Sequence, residues 1–189
     1  MKNDKPPIKS VALFLVVFLF VLFIFLYFRA RKNQQNSSTK PEKLATFYNL
    51  QPGTSTKDDV IKALGYPKKD STSSATPVEY DSKSPTRNNE VYFKDNVVSI
   101  IKHQVTVNDN IKIENIQSEY GKHEYKLYGP ASESGFNLYV YLQKGIAYLG
   151  NEYTGEILEI WYFPKTSNIT SLIQTYANDY SLTFLPPYD

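Results

Sequence analysis

The chain has 189 residues and no cysteine, which excludes disulfides, thiolate metal sites, a cysteine nucleophile and a lipid-bearing N-terminal cysteine. Its two histidines, His103 and His123, leave little for metal or general-base chemistry. The net charge of +2 divides unevenly: eight Lys/Arg against two Asp/Glu before residue 45, and thirteen against seventeen after it, so a domain at −4 without a basic stretch is a poor nucleic-acid binder.

Residues 1–9 form a short basic tail. From 10 to 28, "SVALFLVVFLFVLFIFLYF" carries no charge. Nineteen helical residues span roughly 28 Å, close to the hydrocarbon thickness of a bilayer. A cleaved signal peptide is the competing reading, but "FRARKNQ" is a poor cleavage site. The stretch is therefore expected to be an uncleaved transmembrane anchor whose partner is the lipid bilayer. Three basic residues on each side leave the positive-inside rule tied. An N-terminal anchor with one following domain usually presents that domain outside the cytoplasm, and an extracytoplasmic location is expected. Residues 29–43 are a polar, basic tether.

The remainder divides into 44–108, 109–165 and a C-terminal helix with its tail, 166–189. "TKDDVIKALGYP" (56–67) predicts a helix. Thr56 is its N-cap, Asp59 completes a capping box, Val60, Ile61 and Leu64 are the buried stripe, Gly65 ends the helix and Pro67 stops it. "PVEYDS" (77–82) is a short strand and "VYFKDNVVSI" (91–100) a hairpin turning at Asp95-Asn96. The same order returns in "IKIENIQSEYGKH" (111–123), "EYKLYG" (124–129) and "VYLQKGIAYL" (140–149). The unit of helix, strand and hairpin is thus used twice. "EILEIWYF" (156–163) is a further strand, and "SNITSLIQTYAND" (167–179) an amphipathic helix. The expected fold is α+β: an antiparallel sheet with short helices packed on one face and two helix–strand–hairpin repeats, preceded by one transmembrane helix.

"LQPGTSTKDDVIKALGYP" (50–67) resembles the signature of the SmpA/OmlA (BamE-like) family through Leu50, Gly53, Thr54 or Thr56, Val60, Leu64, Gly65 and Pro67. In the second half Ile116, Tyr120 and Gly121 match, and His123 replaces the proline. The doubling is similar to the β-lactamase-inhibitor-protein-like (BLIP-like) fold. The resemblance covers about residues 44–163. It implies an envelope protein that binds other proteins and is not an enzyme. The outer-membrane members carry an acylated cysteine, which this chain lacks, so the resemblance supports a membrane-tethered binding module and not an outer-membrane assembly role.

Strand alternation places Phe136, Leu138, Val140 and Leu142 on one side and Asn137, Tyr139, Tyr141 and Gln143 on the other. A two-residue turn at Lys144-Gly145 would pair Tyr141 with Tyr148. Glu159 points Trp161 toward the open side. The expected partner-binding face therefore carries Tyr92, Tyr139, Tyr141, Tyr148, Glu159 and Trp161, because Tyr and Trp dominate protein-binding hot spots. Cross-strand aromatic pairs that only stabilise the sheet are the plainer alternative.

No nucleophile elbow, P-loop, zincin or dinucleotide fingerprint is present. No catalytic residue, metal or cofactor is expected. The function read from the sequence is a membrane-anchored, non-catalytic binding or scaffolding module for another envelope or membrane protein. Its rivals are a structural subunit of a larger membrane complex and a glycan-binding or enzymatic extracytoplasmic domain.

Overall fold

The computed structural model describes residues 22–24, 43–71 and 73–184. The chain divides into two units, Met1–Glu42 and Lys43–Asp189. In the first, residues 22–24 are helical, and the rest of the anchor expected over 10–28 lies outside the described residues. No helix among the described residues is long and apolar enough to cross a membrane.

The second unit is built mainly from one seven-stranded sheet with the order β1-β2-β3-β7-β6-β5-β4. Its strands are β1 (Val78–Tyr80), β2 (Asn89–Lys94), β3 (Val97–Gln104), β4 (Tyr125–Leu127), β5 (Asn137–Tyr141), β6 (Ile146–Asn151) and β7 (Glu156–Tyr162). Every neighbouring pair is antiparallel. Three helices of eight residues accompany it: α1 (Lys57–Leu64), α2 (Ile113–Tyr120) and α3 (Ile169–Tyr176).

The expected α+β fold, with helices on one face behind a transmembrane helix, is thereby corrected to a mainly β unit with helices on both faces. Val60 of α1 and Ile113 and Ile116 of α2 pack with Val91, Ile101, Tyr148 and Tyr162. Leu172 of α3 packs on the opposite side with Leu138, Val140, Ala147 and Trp161. The physical reason is tyrosine. The alternation Tyr/aliphatic along β5 resembles polar/apolar alternation, yet a phenol ring is mostly apolar surface and can lie beneath a helix. Both faces of the strand therefore had apolar material to bury.

Helix α1 begins as its sequence requires. The Asp59 backbone N–H donates to Thr56 Oγ1 at 3.3 Å, and the Thr56 N–H donates to Asp59 Oδ2 at 2.9 Å. These two bonds satisfy amide donors that a helix start otherwise leaves open. Both α1 and α2 end on a glycine in the same rare conformation: Gly65 at φ 83°, ψ −169° and Gly121 at φ 84°, ψ −157°. That region is essentially restricted to glycine.

The two hairpins turn differently. Asp95 and Asn96 take φ values of 52° and 64°, a type I′ pair that suits the strand twist. Phe93 pairs with Val98, but a bulge then moves Tyr92 opposite Ile100 instead of Ser99. The β5–β6 connection is longer, a 3₁₀ turn over Leu142–Lys144 closed by Gly145 at φ 67°. A Cβ on Gly145 would collide with the Phe163 carbonyl. Tyr148 consequently pairs with Tyr139, two residues from the expected Tyr141, which keeps it on the same face.

Both sheet edges are occupied. Lys68 donates to the Glu79 carbonyl at 2.8 Å, and the Glu79 N–H donates to the Lys69 carbonyl at 2.9 Å. At the far edge Tyr128 and Ser181 exchange two bonds of 2.8 Å. Each edge thus carries a short bridge that obstructs a guest strand, at Glu79 within β1 and at Tyr128 just past β4.

Candidate functional site: a lysine-lined groove beside α3

The six residues expected on one open face are divided between two. Tyr139, Tyr141 and Tyr148 lie beneath α1 and α2, each at most 1% exposed. Tyr139 and Tyr148 stack with ring centroids 4.9 Å apart, and Tyr120 of α2 meets Tyr141 at 6.2 Å. Burial pushes the Tyr120 and Tyr141 phenols up to about 12, so both are neutral. These tyrosines are core, and the open tyrosine face expected from alternation is corrected accordingly.

Tyr92, Glu159 and Trp161 belong to the α3 side. Trp161 pairs with Ala147, and Ala147 pairs with Val140, which puts Trp161 on the aliphatic side of β5. It is buried, whereas Tyr92 and Glu159 are half-buried. Leu172 of α3 shares a core cluster with Leu127 of β4, Leu138 and Val140 of β5, Ala147 and Leu149 of β6 and Trp161 of β7, and the cluster reaches Ile100 of β3, whereas Tyr92 of β2 is only half-buried at its margin. A groove of about 480 Å³ runs between α3 and the β2–β3 hairpin, lined by Tyr92, Phe93, Lys94, Ser99, Lys102 and Tyr176 among others.

Local structure explains the lining. The bulge after Tyr92 lets Ser99 Oγ donate to the Tyr92 carbonyl at 3.0 Å. Glu90 and Lys102 are direct cross-strand partners, and Lys102 is also opposite Trp161. The Lys102 ammonium sits 4.2 Å from the Trp161 ring centroid and 5.8 Å from that of Tyr92. Such placement over aromatic faces is favourable for a cation.

The nearby carboxylates are engaged elsewhere. Glu90 Oε2 accepts from the Tyr92 hydroxyl at 3.1 Å. Glu159 Oε2 accepts from Trp161 Nε1 at 2.8 Å, and its Oε1 from Arg87 at 3.1 Å. Among the described residues Lys102 and Lys94 enter no ion pair. The Tyr92 phenol is raised by burial, with Glu90 and Glu159 adding to the effect, so it is a neutral donor.

The histidines are held apart. His103 on β3 lies against Phe47 at 4.7 Å, and burial lowers its pKa against the pull of Asp109. His123 meets Tyr139 edge-on at 4.8 Å with Glu152 at 3.9 Å, and burial lowers it too. Among the described residues no three His, Asp or Glu side chains group to hold a metal. The groove contributes cations, hydroxyls and aromatic surface, which suits binding.

Of the groove's lining only Tyr92 was singled out from the sequence; Phe93, Lys94, Ser99, Lys102 and Tyr176 were not. A signal existed for Lys102. Glu90, Tyr92 and Lys102 are the polar and aromatic positions of hairpin β2–β3 at period two, and they share one face. Tyr176 carries no such signal, because it belongs to the apolar stripe of α3 and meets the groove only at that helix's margin.

No protein-family model and no curated protein matches this chain. Among solved structures, the chain is similar to a DUF4309 family protein (YjgB) from Bacillus subtilis, with 18% identity, a TM-score of 0.45, and coverage of 70% of this chain and 93% of that one.

Proposed function

We propose that this protein is a membrane-anchored, non-catalytic binding module of the cell envelope, which holds a segment of another envelope or membrane protein in the groove between α3 and hairpin β2–β3. The observation that carries this reading is the groove on the α3 face. An aromatic, lysine-lined groove of about 480 Å³ lies open beside the last helix, between α3 and hairpin β2–β3. Half-exposed aromatic residues bury much area on binding at low entropic cost. Anchoring is supported by the uncharged stretch 10–28, and an extracytoplasmic placement by the order of anchor, tether and domain.

The test is site-specific photo-crosslinking in intact cells. A photoreactive residue at Thr175 or Ser99 is expected to give a discrete protein adduct, and one at Asp58 on α1 none. Identical adducts from all three positions, or none from the groove, would overturn the reading. Location is checked separately. The chain has no cysteine, so Ser134→Cys is its single site for a membrane-impermeant maleimide. Labelling of intact cells is expected, and protection until lysis would place the domain on the cytoplasmic side.

A further inference from the structure

We infer that the groove recognises an acidic segment of its protein partner, with a side-chain carboxylate seated against the Lys102 ammonium and neighbouring apolar side chains lying along Tyr92 and Tyr176. This inference rests on the binding role proposed above and adds the chemistry of the partner.

Charge complementarity carries it. Two charged residues line the groove, Lys94 and Lys102, and both are cations. Lys102 would normally be quenched by Glu90 directly across the strand pair. That carboxylate is turned toward the Tyr92 hydroxyl, and Glu159 is occupied by Trp161 and Arg87. The half-buried Lys102 ammonium thus lies against two aromatic rings and, among the described residues, is in no ion pair. A half-buried cation held by ring faces gains more from an incoming anion than an exposed, mobile lysine does, because less water screens the pair and less side-chain freedom is lost. The domain's overall charge of −4 does not oppose this strongly, since exposed charges beyond about 8 Å are screened at physiological salt.

The bridged edges bear on how the segment is read. A bridge from Lys68 and Lys69 to Glu79 of β1, and one from Ser181 to Tyr128 just past β4, obstruct extension of the sheet by a peptide backbone. Recognition falls to side chains, with a carboxylate for Lys102, donors for Ser99 and the Tyr92 hydroxyl, and apolar groups for the aromatic walls.

The experiment selects a random heptapeptide phage library on the full chain in nanodiscs, with empty nanodiscs as counter-selection. Asp and Glu are expected to be enriched on the wild type. K102Q should abolish that preference and K102E should invert it toward Lys and Arg. K102R should retain it, which separates loss of charge from loss of fold. A selected acidic peptide should bind K102Q roughly tenfold more weakly than wild type. Peptides selected without acidic preference, weakened by Tyr92→Ala and indifferent to K102Q, would overturn the acidic inference and leave the protein-binding groove standing. Failure to enrich any peptide would overturn both.

Discussion

The two halves of the sheet share an order of elements and differ in how they are covered. In the β4–β6 half, every residue of β5 and β6 is buried. In the β1–β3 half, β2 alternates between buried and half-buried and ends exposed. One residue pair explains the difference. Where β5 presents Leu138 and Val140 to the α3 side, β2 presents Glu90 and Tyr92. The C-terminal helix packs where the aliphatic residues are, reaching Ile100 of β3, and the groove lies beyond it toward β2. Uneven use of one covering helix over two similar halves has left an open groove without any extra element.

This comparison can be broken most forcefully in the core. Tyr148→Ala in the doubly covered half is expected to cost about 3–5 kcal/mol, the range for emptying a large aromatic site. Tyr92→Ala in the less covered half should cost about 1 kcal/mol or less, as a half-exposed side chain leaves little cavity. Urea unfolding of the full chain in detergent micelles reads both, and equal losses would refute the asymmetry.

The helix ends offer a contrast in which the halves should agree. Gly65→Ala and Gly121→Ala each force a Cβ into a region essentially reserved for glycine, and each is expected to cost about 1–3 kcal/mol. Nothing lies within 4 Å of either added Cβ, so the loss comes from backbone strain alone. Unequal costs beyond that range would show that the matching dihedrals do not reflect matching energetics.

The helix starts should differ. Thr56 caps α1 with its side chain, and Thr56→Ala is expected to lose about 0.5–2 kcal/mol. Lys112, at the equivalent position of α2, makes no side-chain cap bond, and Lys112→Ala should stay within about 0.5 kcal/mol of wild type. The same urea titration distinguishes them.

The smallest effect concerns pH. His103 in one half and His123 in the other both have folded-state pKa values lowered by burial. The unfolded chain, near 6.5, binds protons first on acidification. Their contribution is therefore complete above pH 6.5 and declines as pH falls toward the lowered folded values. The melting temperature should drop between pH 7.5 and 5.5, and His103→Gln and His123→Gln should each flatten part of the slope. A flat wild-type profile in that window would contradict the burial of both rings as neutral imidazoles.

Sequence by itself determined what depends on neighbours within a few residues. Thr56, Asp59, Val60 and Gly65 dictated α1, because caps and the glycine-only conformation act locally. Asp95-Asn96 dictated the first turn, and period-two alternation kept Tyr139, Tyr141 and Tyr148 on one face even with the β5–β6 register displaced by two residues. Tertiary structure decided which face each helix would cover. Tyrosine is apolar enough for the interior and polar enough for the surface, so alternation alone could not say whether those three rings met water or α2. The groove was likewise invisible in any single segment. It arises where α3 stops short of hairpin β2–β3, with Lys102 poised over Trp161 from a strand 59 residues further along the chain. Distant packing sets that juxtaposition, and no local rule encodes it.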